Sequence, residues 1–504
     1  MCSTQLPRPG HVRARSLHAL LREHPNIHYT GASPDVELLG IAQSSNLVQP
    51  GDLYVALPGA RAHGADYAAH SVAAGARAIL TDEVGAARID AAVPVLVTPE
   101  PRQLAGPVAS WIYGNPSHAV KVVGITGTNG KTTVAYLLNA ALAAAGHTTG
   151  LIGTVETRIA AHTIESSRTT PEAAELQGLL AYALEQGVDT VVMEASSHGF
   201  ALGRLSGVRF ATGVFTNLSV DHLDLHHTME EYFAAKAMLF DGRASQEIVN
   251  VDDEYGRRLL KDDTVTFGLR GHGQWRASGA NWNDTRQEFL LHTPEGQTIA
   301  AAVGLPGLFN VANAIAAIAA AHSVGVPVRV AVQAIADSSG VPGRMERVSS
   351  LDASILGIVD YAHAPDGVQK ALSALRPVTK GRLICVLGCG GDRDVSKRPL
   401  MGAAAVRGSD IFIATDDNPR SEPPAAIREA MLKGAWQIPE SERAQVLEVD
   451  GRLAAIERAV QLARTGDTIA VLGKGHELGQ EIAGVKHPFD DRKALTQALK
   501  GAHE

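Results

Sequence analysis

Seven consecutive residues, Gly127-Thr128-Asn129-Gly130-Lys131-Thr132-Thr133, follow the apolar run Val122 to Ile125 and precede an Ala-rich stretch from Val134 to Ala145. Strand, glycine-rich turn and helix in that order aim backbone N–H groups and the positive end of a helix dipole at an anion. Lys131 adds a point charge for terminal phosphates, and the Thr132 hydroxyl can ligate Mg²⁺. The strict phosphate-loop pattern wants glycine at position 125, where this chain has Ile125, so the loop is a variant. The spacing predicts an ATP-binding loop.

Further groups suit the same chemistry. Glu194 ends the apolar run Thr190 to Met193, and a carboxylate at a strand end beside a phosphate loop is where a nucleotide-bound metal needs oxygen. The alternative is a strand-terminating side chain in solvent. His222, in Asp221-His-Leu-Asp224, is either a metal ligand or a capping histidine. Lys236 lies in a helical segment, Tyr232 to Phe240, with apolar residues on nearly every side. It reads as a snorkelling lysine or as a desolvated one whose neutral amine can react. Asn310 precedes an Ala-rich helix and either caps it or contacts a base. Arg344, Arg347 and Asp360 mark a junction between blocks, as in a site that closes across domains.

Three loops near the C-terminus each follow an apolar strand: Gly388 to Asp394, Asp416 to Arg420 and Gly473 to Glu477. They place Arg393, Arg420 and Glu477 at one edge of a sheet. Two guanidinium groups and a carboxylate suit an amino acid with an extra carboxylate and an ammonium group.

The elements that position these loops are legible as apolar runs. Asp52 to Leu57, Ala78 to Leu80 and Val93 to Val97 come first. A second block holds Thr190 to Met193 and Thr212 to Thr216, and a third holds Ile355 to Asp360, Leu383 to Leu387, Ile411 to Ala414 and Thr468 to Leu472. Buried strands alternating with helical stretches predict an α/β protein with parallel, doubly wound sheets, whose ligands gather at carboxyl strand ends. At 504 residues, several domains are expected. A net charge of −8, from 45 basic and 53 acidic residues, leaves no nucleic-acid footprint. The three cysteines, Cys2, Cys385 and Cys389, fit a reducing cytosol better than a disulfide framework. No segment reads as a signal core or a membrane span.

The chain resembles the Mur ligases over nearly its whole length. Thr126 to Thr133, Thr169-Thr170-Pro171, Met193 to His198 and Thr216 to Asp224 carry the resemblance, with Tyr232 to Lys236, Gly343 to Glu346, Asp360 to His363 and Asp417 to Arg420. It implies three domains: a small α/β UDP-muropeptide-binding domain over 1–105, a parallel-sheet phosphate-loop ATPase over 106–343, and a Rossmann-like amino-acid-binding domain over 344–504. It further implies that ATP phosphorylates the D-Glu γ-carboxylate of UDP-MurNAc-L-Ala-D-Glu and that the amine of meso-diaminopimelate displaces the phosphate. By position, Thr132 resembles a ligand of one Mg²⁺, and Glu194, His222 and a carbamylated Lys236 resemble ligands of a second. Asn310, Arg344 and Asp360 resemble contacts to the base, phosphate and ribose of ATP. Ser45, Ala60, Arg61, Ala62, Thr169, Thr170, Ser196 and Arg204 resemble contacts to the muropeptide. Arg393, Asp417, Asn418, Pro419, Arg420, Gly473 and Glu477 resemble the diaminopimelate pocket.

The family's first-domain Asp-Ser-Arg stands here as Ser44-Ser45-Asn46. Leu202 and Arg168 replace a Gln and an Asn near the muropeptide contacts. The resemblance implies a cytoplasmic monomer. The rivals are related ligases, whether lysine-adding (against which Asp417 to Arg420 speaks), D-Ala-D-Ala-adding or folylpolyglutamate-forming, and a non-catalytic nucleotide-binding regulator, against which Lys131, Glu194, His222 and Lys236 speak.

Overall fold

Short runs of Val, Ile, Leu and Ala, broken by Gly and polar residues, form the parallel strands, because a strand covered on both faces needs apolar side chains on both. The computed structural model describes residues 6–59, 61–90, 92–350 and 353–501. Ala60 of the expected muropeptide contacts, and Cys2, lie outside them. Two compact units are formed, Met1–Gln274 with Ala316–Ala331, and Trp275–Ile315 with Val332–Glu504.

The first unit holds two main sheets beside a short two-stranded one, Arg15–Ser16 with Glu37–Leu38. One contains β1 (His28–Gly31), β2 (Gly40–Ala42), β3 (Asp52–Val55), β4 (Ala78–Thr81) and β5 (Pro94–Val97), in the order β1-β5-β4-β3-β2. Only the β1–β5 pair is antiparallel. The other contains β6 (Lys121–Thr126), β7 (Thr149–Ile152), β8 (Glu156–Ile159), β9 (His162–Glu165), β10 (Thr190–Glu194), β11 (Phe210–Phe215), β12 (Ala244–Asn250) and β13 (Val265–Gly268). Their order is β9-β8-β7-β10-β6-β11-β12-β13, parallel from β7 through β13. The strand β6, which feeds the glycine loop, is therefore flanked by β10, which ends in Glu194, and by β11, which leads to Asn217.

Helix α1 (Pro101–Ile112) covers the first sheet. In the second, α3 (Ala173–Glu185) and α4 (Met229–Ala237) complete the core around Val122, Val191, Met193, Phe200 and Phe215, while α2 (Lys131–Ala144) buries Leu137, Leu138 and Leu142 of its own face.

The second unit has an antiparallel ladder, β14 (Trp275–Trp282), β15 (Gln287–His292) and β16 (Thr298–Val303). Its main sheet comprises β17 (Glu346–Arg347), β18 (Leu356–Asp360), β19 (Leu383–Leu387), β20 (Ile411–Ala414), β21 (Gln445–Glu448) and β22 (Thr468–Leu472). They run in the order β17-β18-β22-β19-β20-β21, with only β17 antiparallel. Helix α5 (Leu308–Ser323) corrects one expectation. It begins two residues ahead of Asn310, so Asn310 sits inside the first turn and is not its cap. Among the described residues, no helix is long and apolar enough to cross a membrane.

Candidate active site

The glycine loop folds as the residue types demand. Gly127 has φ +142°, and a Cβ there would lie 1.9 Å from the Thr216 hydroxyl, so only glycine fits. Gly130 adopts the left-handed region immediately before α2. The loop is tied to the end of β11. Asn129 N–H donates to the Asn217 side-chain oxygen at 3.0 Å, and Thr216 Oγ1 donates to the Asn129 carbonyl at 2.7 Å. Lys131 Nζ donates to the carbonyls of Gly127 and Thr128, each at 2.9 Å.

Glu194 is buried, with 1% of its surface exposed, which rules out the solvent-facing reading. Its Oε2 accepts from Thr132 Oγ1 and Thr154 Oγ1, each at 3.1 Å, and its Oε1 accepts from Thr154 N–H at 2.8 Å. A buried carboxylate beside the first hydroxyls of α2 is an oxygen pair suited to a divalent cation.

Lys236 is likewise buried, at 1% exposure, and does not snorkel. Its Nζ donates to the Gly127 carbonyl at 2.8 Å and stands 4.5 Å from the centre of the Tyr232 ring. Burial first, then the Lys131 charge, holds its pKa well below the ordinary lysine range, so the neutral amine is favoured. His222, at φ +53°, opens the short helix Leu223–His226 and lies edge-on to His198 at 4.7 Å. Partial burial, with smaller contributions from His198, Lys131 and Lys236, pulls its imidazole down to about 4. At neutral pH it offers a lone pair to a metal.

Next to these groups, Thr170 Oγ1 donates to the Glu194 carbonyl at 2.9 Å and lies 2.9 Å from Ser196 Oγ, which caps the helix Ser197–Ala201. Thr169 Oγ1 lies 3.0 Å from Thr154 Oγ1. Arg204 donates to the Thr170 carbonyl at 3.3 Å and pairs with Glu172 at 2.9 Å. Glu172 in turn lines a cavity of about 260 Å³ at the carboxyl ends of β2 and β3, together with Arg8, Ser44, Gly59, Arg102 and Arg168. Ser45 starts the turn after Ser44, while Arg61 and Ala62 are exposed just beyond Gly59.

In the second unit, Asp360 ends β18 and accepts from the N–H groups of Met345 and Ala362 at 2.7 and 2.8 Å. Burial pushes its carboxyl up, opposed by the Arg344 charge. Arg344 stacks over Tyr361 at 4.5 Å. Asn310 is buried and donates to the Pro306 carbonyl at 2.8 Å.

The three expected loops do converge, at the ends of the neighbouring strands β22, β19 and β20. Arg420 Nη1 donates to the Gly391 carbonyl at 2.5 Å, joining the Arg420 and Arg393 loops. Asn418 Nδ2 donates to Glu477 Oε2 at 2.8 Å, joining the Asn418 and Glu477 loops. Gly473 has φ +114°, and a Cβ there would meet an Asp417 carboxylate oxygen at 2.7 Å. Arg393 is exposed, whereas Asp417, Asn418 and Pro419 are buried.

Comparison with known proteins matches three successive regions. The catalytic domain of the Mur ligase family matches residues 37–110, the Mur ligase middle domain 125–321, and the Mur ligase glutamate ligase domain 343–475. The UDP-N-acetylmuramoyl-L-alanyl-D-glutamate–2,6-diaminopimelate ligase of Streptomyces coelicolor is 49% identical over 503 residues, covering 98% of each chain. The chain belongs to the Mur ligase family. A solved UDP-N-acetylmuramoyl-L-alanyl-D-glutamate–2,6-diaminopimelate ligase superposes on this Mur ligase with a TM-score of 0.70 at 32% identity, over 98% of this chain and 100% of that one. A folylpolyglutamate synthase of Mycobacterium tuberculosis, complexed with ADP and AMPPCP, shares the fold at 18% identity and a TM-score of 0.59, over 74% and 92% of the two chains. As a Mur ligase, the protein is an ADP-forming ligase with the family's three-domain α/β architecture.

Reading the sequence of this Mur ligase missed two residues at these sites. Thr154 holds both oxygens of Glu194, but a threonine between Gly153 and Val155 carries no pattern that points to a carboxylate in another strand. Lys474 is fully buried beneath Glu477. Its position between Gly473 and Gly475 was the available signal, since flanking glycines let backbone and side chain turn inward.

Proposed function

We propose that this Mur ligase joins the amino group of meso-diaminopimelate to the D-Glu γ-carboxylate of UDP-MurNAc-L-Ala-D-Glu, in peptidoglycan precursor synthesis. The observation that carries the choice of amino acid is the convergence of Arg393, Arg420, Asn418 and Glu477 on one strand-end cluster. Guanidinium groups grip carboxylates in a planar fork, and a carboxylate receives a distal ammonium. ATP supplies the phosphoryl group that activates the acceptor carboxylate as an acyl phosphate, which the incoming amine opens with release of phosphate.

Each group has a role in this reading. Gly127, Thr128, Asn129, Gly130, Lys131, Thr132 and Thr133 bind the ATP phosphates, and Lys131 offsets charge that develops on the transferring group. Asn310, Arg344 and Asp360 bind the rest of the nucleotide. Thr132 would hold one Mg²⁺, and Glu194, His222 and the carbamate of Lys236 a second, a fit supported by the buried Glu194 carboxylate and the neutral imidazole. Bound there, Mg²⁺ neutralises phosphoryl and carbonyl oxygen charge. Ser45, Ala60, Arg61, Ala62, Thr169, Thr170, Ser196 and Arg204 bind the muropeptide. Arg102 of the adjoining cavity offers positive charge suited to a diphosphate, beside Arg8 and Arg168, which are paired with Asp52 and Glu172.

The domains span 1–105, 106–343 and 344–504. In this reading the enzyme is a monomer and works in the cytoplasm, in keeping with its water-soluble nucleotide and amino-acid substrates. A panel of amino acids scored for UDP-tripeptide product tests the reading, with diaminopimelate expected to lead. Comparable kcat/KM with L-lysine would reassign the substrate.

A further inference from the structure

Lys474 has no role in the function just proposed, and its surroundings are unusual for a lysine. Its side chain is 0% exposed, although a buried ammonium carries a large desolvation cost that a single ion pair offsets poorly. The Nζ donates to Glu477 Oε2 at 2.8 Å and to Asn418 Oδ1 at 3.0 Å. Asn418 Nδ2 donates to the same Glu477 oxygen at 2.8 Å, closing a ring of ammonium, amide and carboxylate. The Asn418 oxygen also accepts from Glu481 N–H at 2.9 Å, so the amide has one orientation. Gln480 Nε2 donates to the Asp417 carbonyl at 2.6 Å beside it.

The two bonds on Glu477 fall on one oxygen. Among the described residues Oε1 accepts nothing, and the Glu477 side chain is one-third exposed. A carboxylate held this way by one oxygen presents the other in a fixed direction.

We propose that Lys474 is a positioning residue for amino-acid selection, fixing the Glu477 carboxylate so that Glu477 Oε1 meets a distal ammonium of the incoming amino acid. This rests on the diaminopimelate-pocket reading of Glu477 and extends it to a residue that touches no substrate. Both hydrogen bonds of the Lys474 ammonium go to residues of the amino-acid pocket, so its loss is expected to act on amino-acid binding.

The test is steady-state ADP release with ATP, UDP-MurNAc-L-Ala-D-Glu and meso-diaminopimelate each varied in turn. The proteins are the wild type, Lys474→Met, Glu477→Gln and the double variant. Lys474→Met is expected to raise the KM for diaminopimelate roughly tenfold or more through loss of a charge-assisted hydrogen bond. The other two KM values should stay within about twofold, and the double variant should be no worse than Glu477→Gln alone, because Lys474 acts through Glu477. Unchanged KM for diaminopimelate, a joint rise of all three, or additive effects in the double variant each overturn the proposal. If Lys474→Met does not melt cooperatively, Lys474→Gln carries the same comparison. Failure of both to fold would assign Lys474 to stability and overturn the proposal too. The underlying pocket reading is judged separately, on the wild type: no diaminopimelate-dependent turnover there would remove it whatever the variants do.

Discussion

Lys131 Nζ rests on two carbonyls of its own loop, so a polyphosphate competes with Gly127 and Thr128 for it. Lys131→Ala should cost on the order of 10²-fold or more in kcat, since the lost charge matters most where phosphoryl charge develops. ADP release by a variant with an unchanged melting curve checks this, and near-normal turnover would place ATP elsewhere. Lys236 is a different case. Burial lowers the pKa of its amine, and an amine in its neutral form can attack CO₂, forming an N–C bond and shedding a proton to leave a carbamate anion. Lys236→Ala should lose activity and regain part of it with added acetate, which supplies the missing carboxylate. A bare lysine at this position in native mass spectrometry under CO₂ would count against the modification.

At the scale of elements, the amino-acid pocket depends on how the loops after β19 and β20 are braced. Helix α6 (Lys397–Gly408) supplies Arg398, which grips both oxygens of Glu422 at 2.7 and 2.9 Å and donates to the Gly390 carbonyl at 3.3 Å. Glu422 Oε1 also accepts from Asp392 N–H at 2.6 Å. The Arg398 hydrogen bonds lead the effect that holds the Glu422 carboxyl at about 2, below its ordinary 4.5. A depressed carboxyl stabilises the fold above its unfolded pKa and loses that contribution as pH falls through the folded one. The melting-temperature gap between wild type and Glu422→Gln should therefore be full above pH 4.5 and close toward about pH 2. A gap that persists unchanged at the acid end would mean that the carboxylate charge is not what braces the loops.

Arg420, reached through those loops, has φ +52° and its guanidinium against the Gly391 carbonyl. Arg420→Lys exchanges a planar fork for a point charge. Loss of a buried charge-assisted pair of about 2 kcal/mol or more predicts a ~30-fold or larger rise in the KM for diaminopimelate alone. A parallel rise in all three KM values would assign Arg420 to the fold.

For the molecule as a whole, the most buried charge pair is the one to test. Helix α7 (Arg452–Leu462) begins with Arg452, which meets Asp491 at 2.7 Å, both side chains being 0% exposed. The same guanidinium donates to the Asp416 and Leu472 carbonyls at 3.1 and 2.9 Å, spanning the ends of β20 and β22 with β19 between them. Arg452→Leu would strand the Asp491 carboxylate in the interior and should destabilise by about 3–5 kcal/mol. Urea unfolding followed by tryptophan fluorescence measures it. A loss below about 1 kcal/mol would show that water reaches Asp491 and relieves it.

Chemistry carried by contiguous residues could be read from the sequence. The phosphate loop was legible because its glycines, lysine and threonines are contiguous, so one strand and one helix suffice to place them. The parallel strands were legible because burial on both faces leaves uninterrupted apolar runs, as in Leu383–Leu387 and Thr468–Leu472. Asn310 went wrong as a cap because helix starts are marked by weak, local hydrogen bonds that a Pro-Gly turn can shift by a turn. Only tertiary structure decided which distant groups became partners. The order β10-β6-β11 brings Glu194 to Thr132, and β22-β19-β20 brings Lys474 to Asn418. Such pairings depend on strand order, a property of long-range packing between segments tens of residues apart, and no local spacing encodes it.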